Sequence, residues 1–79
     1  MKAHVYVTLK RTVLDAQGQT IADALRRMEY RGIADVRQGK YFELDLATTE
    51  AAQARALATE VADKVLANPV IESYRIEVE

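Results

Sequence analysis

The stretch Asn68-Pro69-Val70-Ile71-Glu72-Ser73-Tyr74-Arg75-Ile76-Glu77-Val78-Glu79 decides the fold, because it halts a helix and then alternates as a strand to the end of the sequence. Asn68 can adopt the left-handed conformation that closes a helix, and Pro69 cannot continue one because it lacks a backbone N–H. From there Tyr74, Ile76 and Val78 fall on one face of the strand and polar side chains on the other. We expect this strand at a sheet edge, where another chain can pair with it.

Hydrophobic alternation predicts three more strands. They cover residues 3–10, 33–37 and 40–46, with Gln38-Gly39 as the tight turn of a hairpin between the last two. Helical periodicity fills the gaps between strands, and the two helices are expected to stop near Gly32 and at Asn68. The order strand, helix, strand, strand, helix, strand predicts one ferredoxin-like βαββαβ domain of the α+β class over residues 1–79, with both helices on one face of an antiparallel sheet.

The other face of this sheet is expected to be open. It carries His4, Tyr6, Thr8, Tyr41, Glu43, Asp45, Arg75 and Glu77. If the strands 3–10 and 40–46 pair at the centre of the sheet, Tyr6 and Tyr41 lie close together. Tyrosines flanked by charges are typical of a surface that another protein covers, so we predict self-association through Tyr6, Tyr41, Glu43 and Arg75. The alternative is a solvated sheet face on which the two tyrosines are incidental.

Composition argues against several classes of protein. Eleven basic and twelve acidic residues give a net charge of -1, so nothing attracts the chain to nucleic acid or to an anionic membrane. The absence of cysteine excludes disulfides, thiolate catalysis and thiolate metal sites. The sequence has neither a long apolar run nor a signal peptide before the first strand, so we expect a cytoplasmic protein without membrane contact.

Candidate chemical groups are few. His4 is the only histidine and is expected to be a surface residue. Glu43 and Asp45 share one strand face, where they could hold a divalent ion or act as acid and base, but a solvated face gives the same pattern. Tyr6 and Tyr41 also match the positions of the stacking aromatics in RNA-recognition domains, yet their acidic neighbours oppose RNA phosphates. We therefore predict no catalytic, metal or cofactor-binding residue and no nucleic-acid partner.

A family resemblance is carried, in order, by Val5-Tyr6-Val7-Thr8-Leu9-Lys10, Val13-Leu14-Asp15-Ala16-Gln17-Gly18, Asp35-Val36-Arg37-Gln38-Gly39-Lys40-Tyr41 and Leu66-Ala67-Asn68-Pro69-Val70-Ile71-Glu72-Ser73-Tyr74. Together these segments resemble PurS, the small subunit of bacterial and archaeal phosphoribosylformylglycinamidine (FGAM) synthase. The resemblance runs along the whole chain, and its most specific parts are the third and fourth segments.

The resemblance implies a complex of purine biosynthesis. In it a synthetase subunit (PurL) phosphorylates formylglycinamide ribonucleotide with ATP and Mg, and a glutaminase subunit (PurQ) releases from glutamine the ammonia that displaces the phosphate. PurS catalyses neither step, binds no cofactor of its own, and forms a dimer or a dimer of dimers that bridges the two enzymes and helps to retain ammonia. The contacts with the larger subunits are expected from Lys10, Arg11, Asp15, Asn68, Pro69 and Tyr74.

A ligand-sensing domain of the same βαββαβ architecture is the alternative. Such a domain binds an amino acid or similar metabolite at a dimer interface and regulates an enzyme. It needs a glycine-rich turn after the first strand, and Arg11-Thr12-Val13 contains no glycine. The residues at this junction therefore favour the role in an assembly.

Overall fold

A computed structural model describes residues 1–79 and shows three strands and two helices. In chain order they are β1 (Lys2–Leu9), α1 (Ala16–Arg27), β2 (Gly39–Asp45), α2 (Ala51–Val61), which a π-helical turn (Ala62–Leu66) extends, and β3 (Glu72–Val78). The strands form one antiparallel sheet in the order β2-β1-β3. The α+β class is confirmed, and β3 lies at a sheet edge as predicted. Neither helix is long and apolar enough to cross a membrane.

The segment before β2 differs from its prediction. Residues 33–38 pair with no strand, so the sheet has three strands rather than four, and Gln38-Gly39 joins no hairpin. The segment lies along α1 instead, where the carbonyl of Ala34 accepts a hydrogen bond from Arg26 Nη2 at 3.2 Å. A short apolar run predicts extended backbone but not the partner of that backbone, which tertiary contacts decide.

The end of α1 also differs from its prediction. The helix ends at Arg27, and Glu29 rather than Gly32 adopts the left-handed conformation, with φ of 68°. The N–H of Tyr30 donates to the carbonyl of Leu25 at 3.1 Å, which is the long hydrogen bond of the Schellman motif. Glycine is the usual residue in this conformation, and its absence at position 29 explains why the sequence pointed to a stop further along.

The second helix loosens into the π-helical turn and ends at Leu66, just before Asn68-Pro69 as predicted. Asn68 does not take the left-handed conformation expected of it. Its side-chain oxygen accepts the N–H of Val70 at 3.1 Å, and its carbonyl accepts the N–H of Glu72 at 2.7 Å. An asparagine side chain can close a turn in this way. The predicted end of the second helix is therefore correct, although Asn68 adopts a different conformation from the one expected.

The hydrophobic core lies between α2 and the face of β1 that we call the inner face. Ala54, Ala58 and Ala62 form a stripe that is 0% exposed, and Ala62 packs in one cluster with Val5 and Val7 of β1. Small side chains let the helix lie close to the sheet, so a larger residue in this stripe would have to push the two layers apart. Larger, partly buried side chains pack around the centre of the core: Phe42, Leu44, Leu66, Tyr74 and Ile76.

The molecule is elongated, with extents of 48 × 25 × 13 Å. Helix α2 contacts β1 and β3, whereas α1 has no contact of similar extent with any strand. The radius of gyration is 15.7 Å, against about 12 Å for a compact chain of this length. We call residues 15–38, which contain α1 and the segment returning to β2, the arm.

Candidate interaction surfaces

The open sheet face brings Tyr6, Tyr41 and Arg75 together. Tyr6 lies opposite Tyr41 in the register of β1 and β2, and their ring centroids are 5.1 Å apart. On the other side Tyr6 lies opposite Arg75 of β3, whose guanidinium carbon is 4.3 Å from the centre of the Tyr6 ring. This is the geometry of a cation–π contact. The predicted proximity of the two tyrosines is confirmed, and we call Tyr6, Tyr41, Glu43 and Arg75 the tyrosine face.

The charged groups beside Tyr41 have partners. Lys2 Nζ lies 2.8 Å from Glu43 Oε1. The hydrogen bond and the charge interaction raise the pKa of Lys2 and lower the pKa of Glu43. Desolvation, reinforced by the charge of Glu43, raises the pKa of Tyr41, whose hydroxyl is hydrogen-bonded with His4 Nδ1. At neutral pH the Tyr41 hydroxyl therefore keeps its proton.

The charges on the other side of the tyrosine face are also paired. Arg75 forms an ion pair with Glu77, and the hydroxyl of Tyr6 donates to Glu77 at 3.4 Å. Tyr41 nevertheless remains 51% exposed. Covering an aromatic surface whose charges already have partners leaves no isolated ion without water, which suits a protein interface. No group of three or more metal-ligating side chains occurs on this face or elsewhere.

The two segments expected to meet larger subunits are neighbours in the structure. The N–H of Lys10 donates to the carbonyl of Ile71 at 2.8 Å, which joins the first loop to the turn before β3. Arg37 donates to the carbonyl of Lys10 at 3.1 Å and so holds the same loop. The side chains of Lys10, Arg11, Asn68 and Pro69 are exposed, and we call these four residues the corner surface. Tyr74 is half-buried against the core and presents less surface.

Asp15 is only 4% exposed, so it is not available as a contact residue. Its carboxylate accepts the N–H of Gln38 at 2.7 Å and the N–H of Gly18 at 2.9 Å, which ties the start of α1 to the end of the arm. These two hydrogen bonds, with a smaller effect from the charge of Arg37, lower the pKa of Asp15. The spacing Asp-x-x-Gly before a helix is an N-cap signal, but the sequence does not show the distant donor.

Gly18 fits against the same carboxylate. A Cβ atom at this position would collide with the Asp15 carboxylate and with the backbone carbonyl of Val36. The close approach of α1 to the returning segment therefore requires a residue without a side chain. Asp15 and Gly18 together determine how the arm is closed on itself, which is a structural role.

Replacing Asp15 by Asn should lower the melting temperature by about 5 °C at pH 7, because an amide has one oxygen for two N–H donors. Folding lowers the pKa of Asp15. The ionised carboxylate therefore contributes fully to the stability of the fold above the unfolded pKa of about 3.9, and this contribution is lost as the pH falls through and below that value. The difference between the two proteins should therefore shrink near pH 3 in thermal unfolding followed by circular dichroism.

Asp63→Asn is the matched control, because Asp63 is an exposed aspartate. It should leave the melting temperature unchanged at both pH values. A difference between wild type and Asp15→Asn that persists undiminished at pH 3 would show that the charge of Asp15 is not what holds the arm.

Fold and surfaces together define a class of protein. The chain has a thin sheet that is incompletely covered, an aromatic face whose charges are paired, and exposed loops joined into one corner. These are features of a subunit that works by contact with other chains. The family model for PurS, described as phosphoribosylformylglycinamidine (FGAM) synthase, matches residues 2–79. The chain therefore belongs to the PurS family, which confirms the resemblance carried by its motifs.

Individual relatives agree along the whole chain. The PurS subunit of Bacillus subtilis FGAM synthase is 47% identical over 78 residues, which are 99% of this chain and 92% of that protein. Its C2 crystal form matches with a TM-score of 0.85 over 99% of this chain and 96% of that one. Methanocaldococcus jannaschii PurS is 33% identical with a TM-score of 0.89, over 99% of this chain and 94% of that one.

A third structure shows a relative within an assembly. The PurLQS structure from Thermotoga maritima contains a chain that is 26% identical to this one, with a TM-score of 0.88 over 96% of this chain and 93% of that one. The matches favour the PurS resemblance over the ligand-sensing alternative, because all of these relatives are PurS proteins.

Proposed function

We propose that this chain acts as the non-catalytic small subunit of an FGAM synthase in de novo purine biosynthesis, in the cytoplasm. It bridges a PurL-type synthetase and a PurQ-type glutaminase and assists the transfer of ammonia between them. The observation that carries this proposal is the match over 96% of the chain to a component of PurLQS from Thermotoga maritima. The larger subunits bind ATP, Mg and glutamine, and this chain binds none of them.

The surface of the chain is suited to bridging. Ammonia transfer between two active sites requires that the sites are held in register and that water is kept out, and rigid surface area achieves this. A specific contact needs roughly 800 Å² from each partner, and the chain exposes 5718 Å². Several contacts can therefore be made at once, by self-association and by binding of both enzymes.

We assign the tyrosine face to self-association and the corner surface to the larger subunits. The tyrosine face supplies rigid aromatic area, and the corner surface supplies the exposed cations Lys10 and Arg11. The link between Lys10 and Ile71 supports a single contact region that includes Asn68 and Pro69. Tyr74 packs against the hydrophobic core.

Reconstitution from separate subunits tests the proposal. FGAM formation from glutamine, by the PurL-type and PurQ-type subunits of the same organism, should fall roughly tenfold or more when this chain is left out. Formation from ammonium chloride by the synthetase should not change, because free ammonia does not need a bridge. An equal glutamine-dependent rate with and without this chain would refute the bridging role.

The corner surface is tested in the same assay by Arg11→Glu. Reversing an exposed charge at a contact should raise, by roughly tenfold, the concentration of this chain that gives the half-maximal glutamine-dependent rate. Lys64→Glu reverses an exposed charge on the turn after α2 and should leave that concentration unchanged. Identical titrations for the two variants would remove the first loop from the contact region.

A further inference from the structure

A charged pair lies on the inner face of the sheet, where the other paired residues are apolar or aromatic. Lys40 of β2 lies opposite Val7 in the register with β1, and Glu72 of β3 lies opposite Leu9, so both charged side chains share the face of these apolar residues. They meet across β1, with Lys40 Nζ 3.5 Å from Glu72 Oε2. The side chain of Glu72 is only 12% exposed, whereas that of Lys40 is 58% exposed. Glu72 therefore carries a carboxylate that is largely removed from water.

The ion pair alone does not explain a glutamate at this position. A largely buried charge costs free energy unless it is paired and hydrogen-bonded, and apolar residues in place of such a pair often give equal or greater stability. The contact with Lys40 is long and involves a mostly exposed ammonium group, so it contributes little to stability. The carboxylate of Glu72 has a second and shorter contact, in the turn that precedes β3.

That second contact is with the backbone of the turn. Glu72 Oε1 accepts the N–H of Asn68 at 2.7 Å, and the N–H of Glu72 donates to the carbonyl of Asn68 at 2.7 Å. The same carbonyl accepts the N–H of Ile71 at 3.1 Å, and the side chain of Asn68 accepts the N–H of Val70 at 3.1 Å. Since Pro69 has no N–H, every backbone donor from Asn68 to Glu72 is bonded within this segment. The side chains that close the turn are those of its first residue and of Glu72.

We propose that Glu72 is a positioning residue of the corner surface. Its carboxylate fixes the turn that presents Asn68 and Pro69, and Lys40 holds this carboxylate from the strand on the other side of β1. A contact surface that is already ordered loses less conformational entropy on binding, so it binds its partner more tightly. The inference rests on the proposed function, because the larger subunits are the partners for which the corner surface is ordered.

The turn also sets the position of the first loop. The carbonyl of Ile71 accepts the N–H of Lys10 at 2.8 Å, so a displacement of the turn removes the acceptor of that N–H. Glu72 therefore acts on both halves of the corner surface, the first loop and the turn. Its own side chain, 12% exposed on the inner face, is too little exposed to contact a partner directly. The effect of Glu72 on binding is indirect and passes through the backbone of the turn.

Amide hydrogen exchange tests the turn without the larger subunits, so its outcome does not depend on the proposed function. In Glu72→Ala the N–H of Asn68 loses its acceptor and should exchange roughly tenfold faster or more, because that acceptor is a charged group. The N–H of Val5 in the central strand should keep its wild-type rate. Glu60→Ala is the matched control, since Glu60 is paired with Lys64 in an exposed part of the chain, and it should change neither rate.

Two outcomes of the exchange experiment would overturn the proposal. An unchanged rate at Asn68 in Glu72→Ala would show that the carboxylate does not hold the turn. An equal acceleration at Asn68 and Val5 would show a general loss of stability and no local role for Glu72.

The reconstitution assay tests the consequence for binding. Glu72→Ala should raise roughly tenfold the concentration of this chain that gives the half-maximal glutamine-dependent rate, while the rate at saturating chain keeps its wild-type value. Glu72→Gln retains an oxygen that can accept the N–H of Asn68, so it should shift this concentration less. Glu60→Ala should not shift it. A wild-type concentration in Glu72→Ala, in an assay where Arg11→Glu has its effect, would overturn the positioning role and leave the proposed function intact.

Lys40→Met tests whether Lys40 acts through Glu72. This substitution removes the ammonium group and keeps an unbranched side chain, and it should raise the half-maximal concentration by roughly two- to fivefold. Combined with Glu72→Ala it should add nothing, because its partner in the ion pair is then absent. Additive effects of the two substitutions would show that Lys40 acts independently of Glu72 and would contradict its part in the proposal.

Discussion

Replacing Tyr6 and Tyr41 together by Ser should halve the mass of the self-associated protein. The two rings lie side by side with centroids 5.1 Å apart and lie at the centre of the open face. Their removal deletes the aromatic part of that face and leaves Arg75 without the ring beneath it. Size-exclusion chromatography with light scattering gives the mass directly, over a range of protein concentrations.

The expected effect is large because interface tyrosines at such positions are typically hot spots worth about 2 kcal/mol or more. In a two-fold interface each substitution occurs twice, so the double variant should weaken association by on the order of a thousandfold or more. The mass of the assembly should therefore fall by half.

Tyr30→Ser is the matched control for this experiment. Tyr30 is also an exposed tyrosine, but it lies in the turn after α1 and outside the open sheet face. Its substitution should leave the mass unchanged. A wild-type mass in the Tyr6→Ser/Tyr41→Ser variant would exclude the tyrosine face as the site of self-association.

Replacing Ala58 by Leu should destabilise the monomer fold strongly. Ala58 is 0% exposed and lies in the stripe by which α2 approaches β1 and β3. Three additional carbon atoms must displace the helix from the sheet, which costs about 1–3 kcal/mol. For a domain of this size, that corresponds to a fall in melting temperature of roughly 5–20 °C. Thermal and urea unfolding followed by circular dichroism measure both quantities.

Ala56→Leu provides the comparison, because Ala56 is exposed on the opposite side of the same helix. Alanine and leucine have similar helix propensities, so the control removes any effect of propensity from the comparison. Ala56→Leu should change the melting temperature by no more than about 2 °C. Equal shifts in the two variants would show that α2 is not in close contact with the sheet at Ala58.

Prediction from the sequence succeeded where the pattern is local. Alternation along residues 3–10 and 40–46 predicted two strands whose pairing places Tyr6 opposite Tyr41, and the structure has that register. The stop before Asn68-Pro69 and the edge position of β3 were also correct. In each case the decisive property, a period of two or a missing N–H, is carried by the residues of the element itself.

Prediction from the sequence was wrong where contacts between residues far apart in the sequence determine the local structure. The segment 33–37 has the composition of a strand, but it pairs with no strand. Ala34 accepts a hydrogen bond from Arg26 of α1, and Arg37 donates to the carbonyl of Lys10. Asp15 looked like an exposed loop residue because its donor Gln38 is 23 positions away in the sequence. Glu29 carries the left-handed conformation that Gly32 was expected to adopt, since the Schellman hydrogen bonds of α1 form at that point.

The sequence by itself determined the class of fold, which side chains share a strand face, and membership of the PurS family through its ordered motifs. Only the tertiary structure decided that α1 makes little contact with the sheet, that Phe42 and Leu44 of β2 are only half-buried and that Asp15 is buried. The physical reason is that periodicity is a property of neighbouring residues, whereas the docking of a helix depends on the free energy of contacts between residues far apart in the chain.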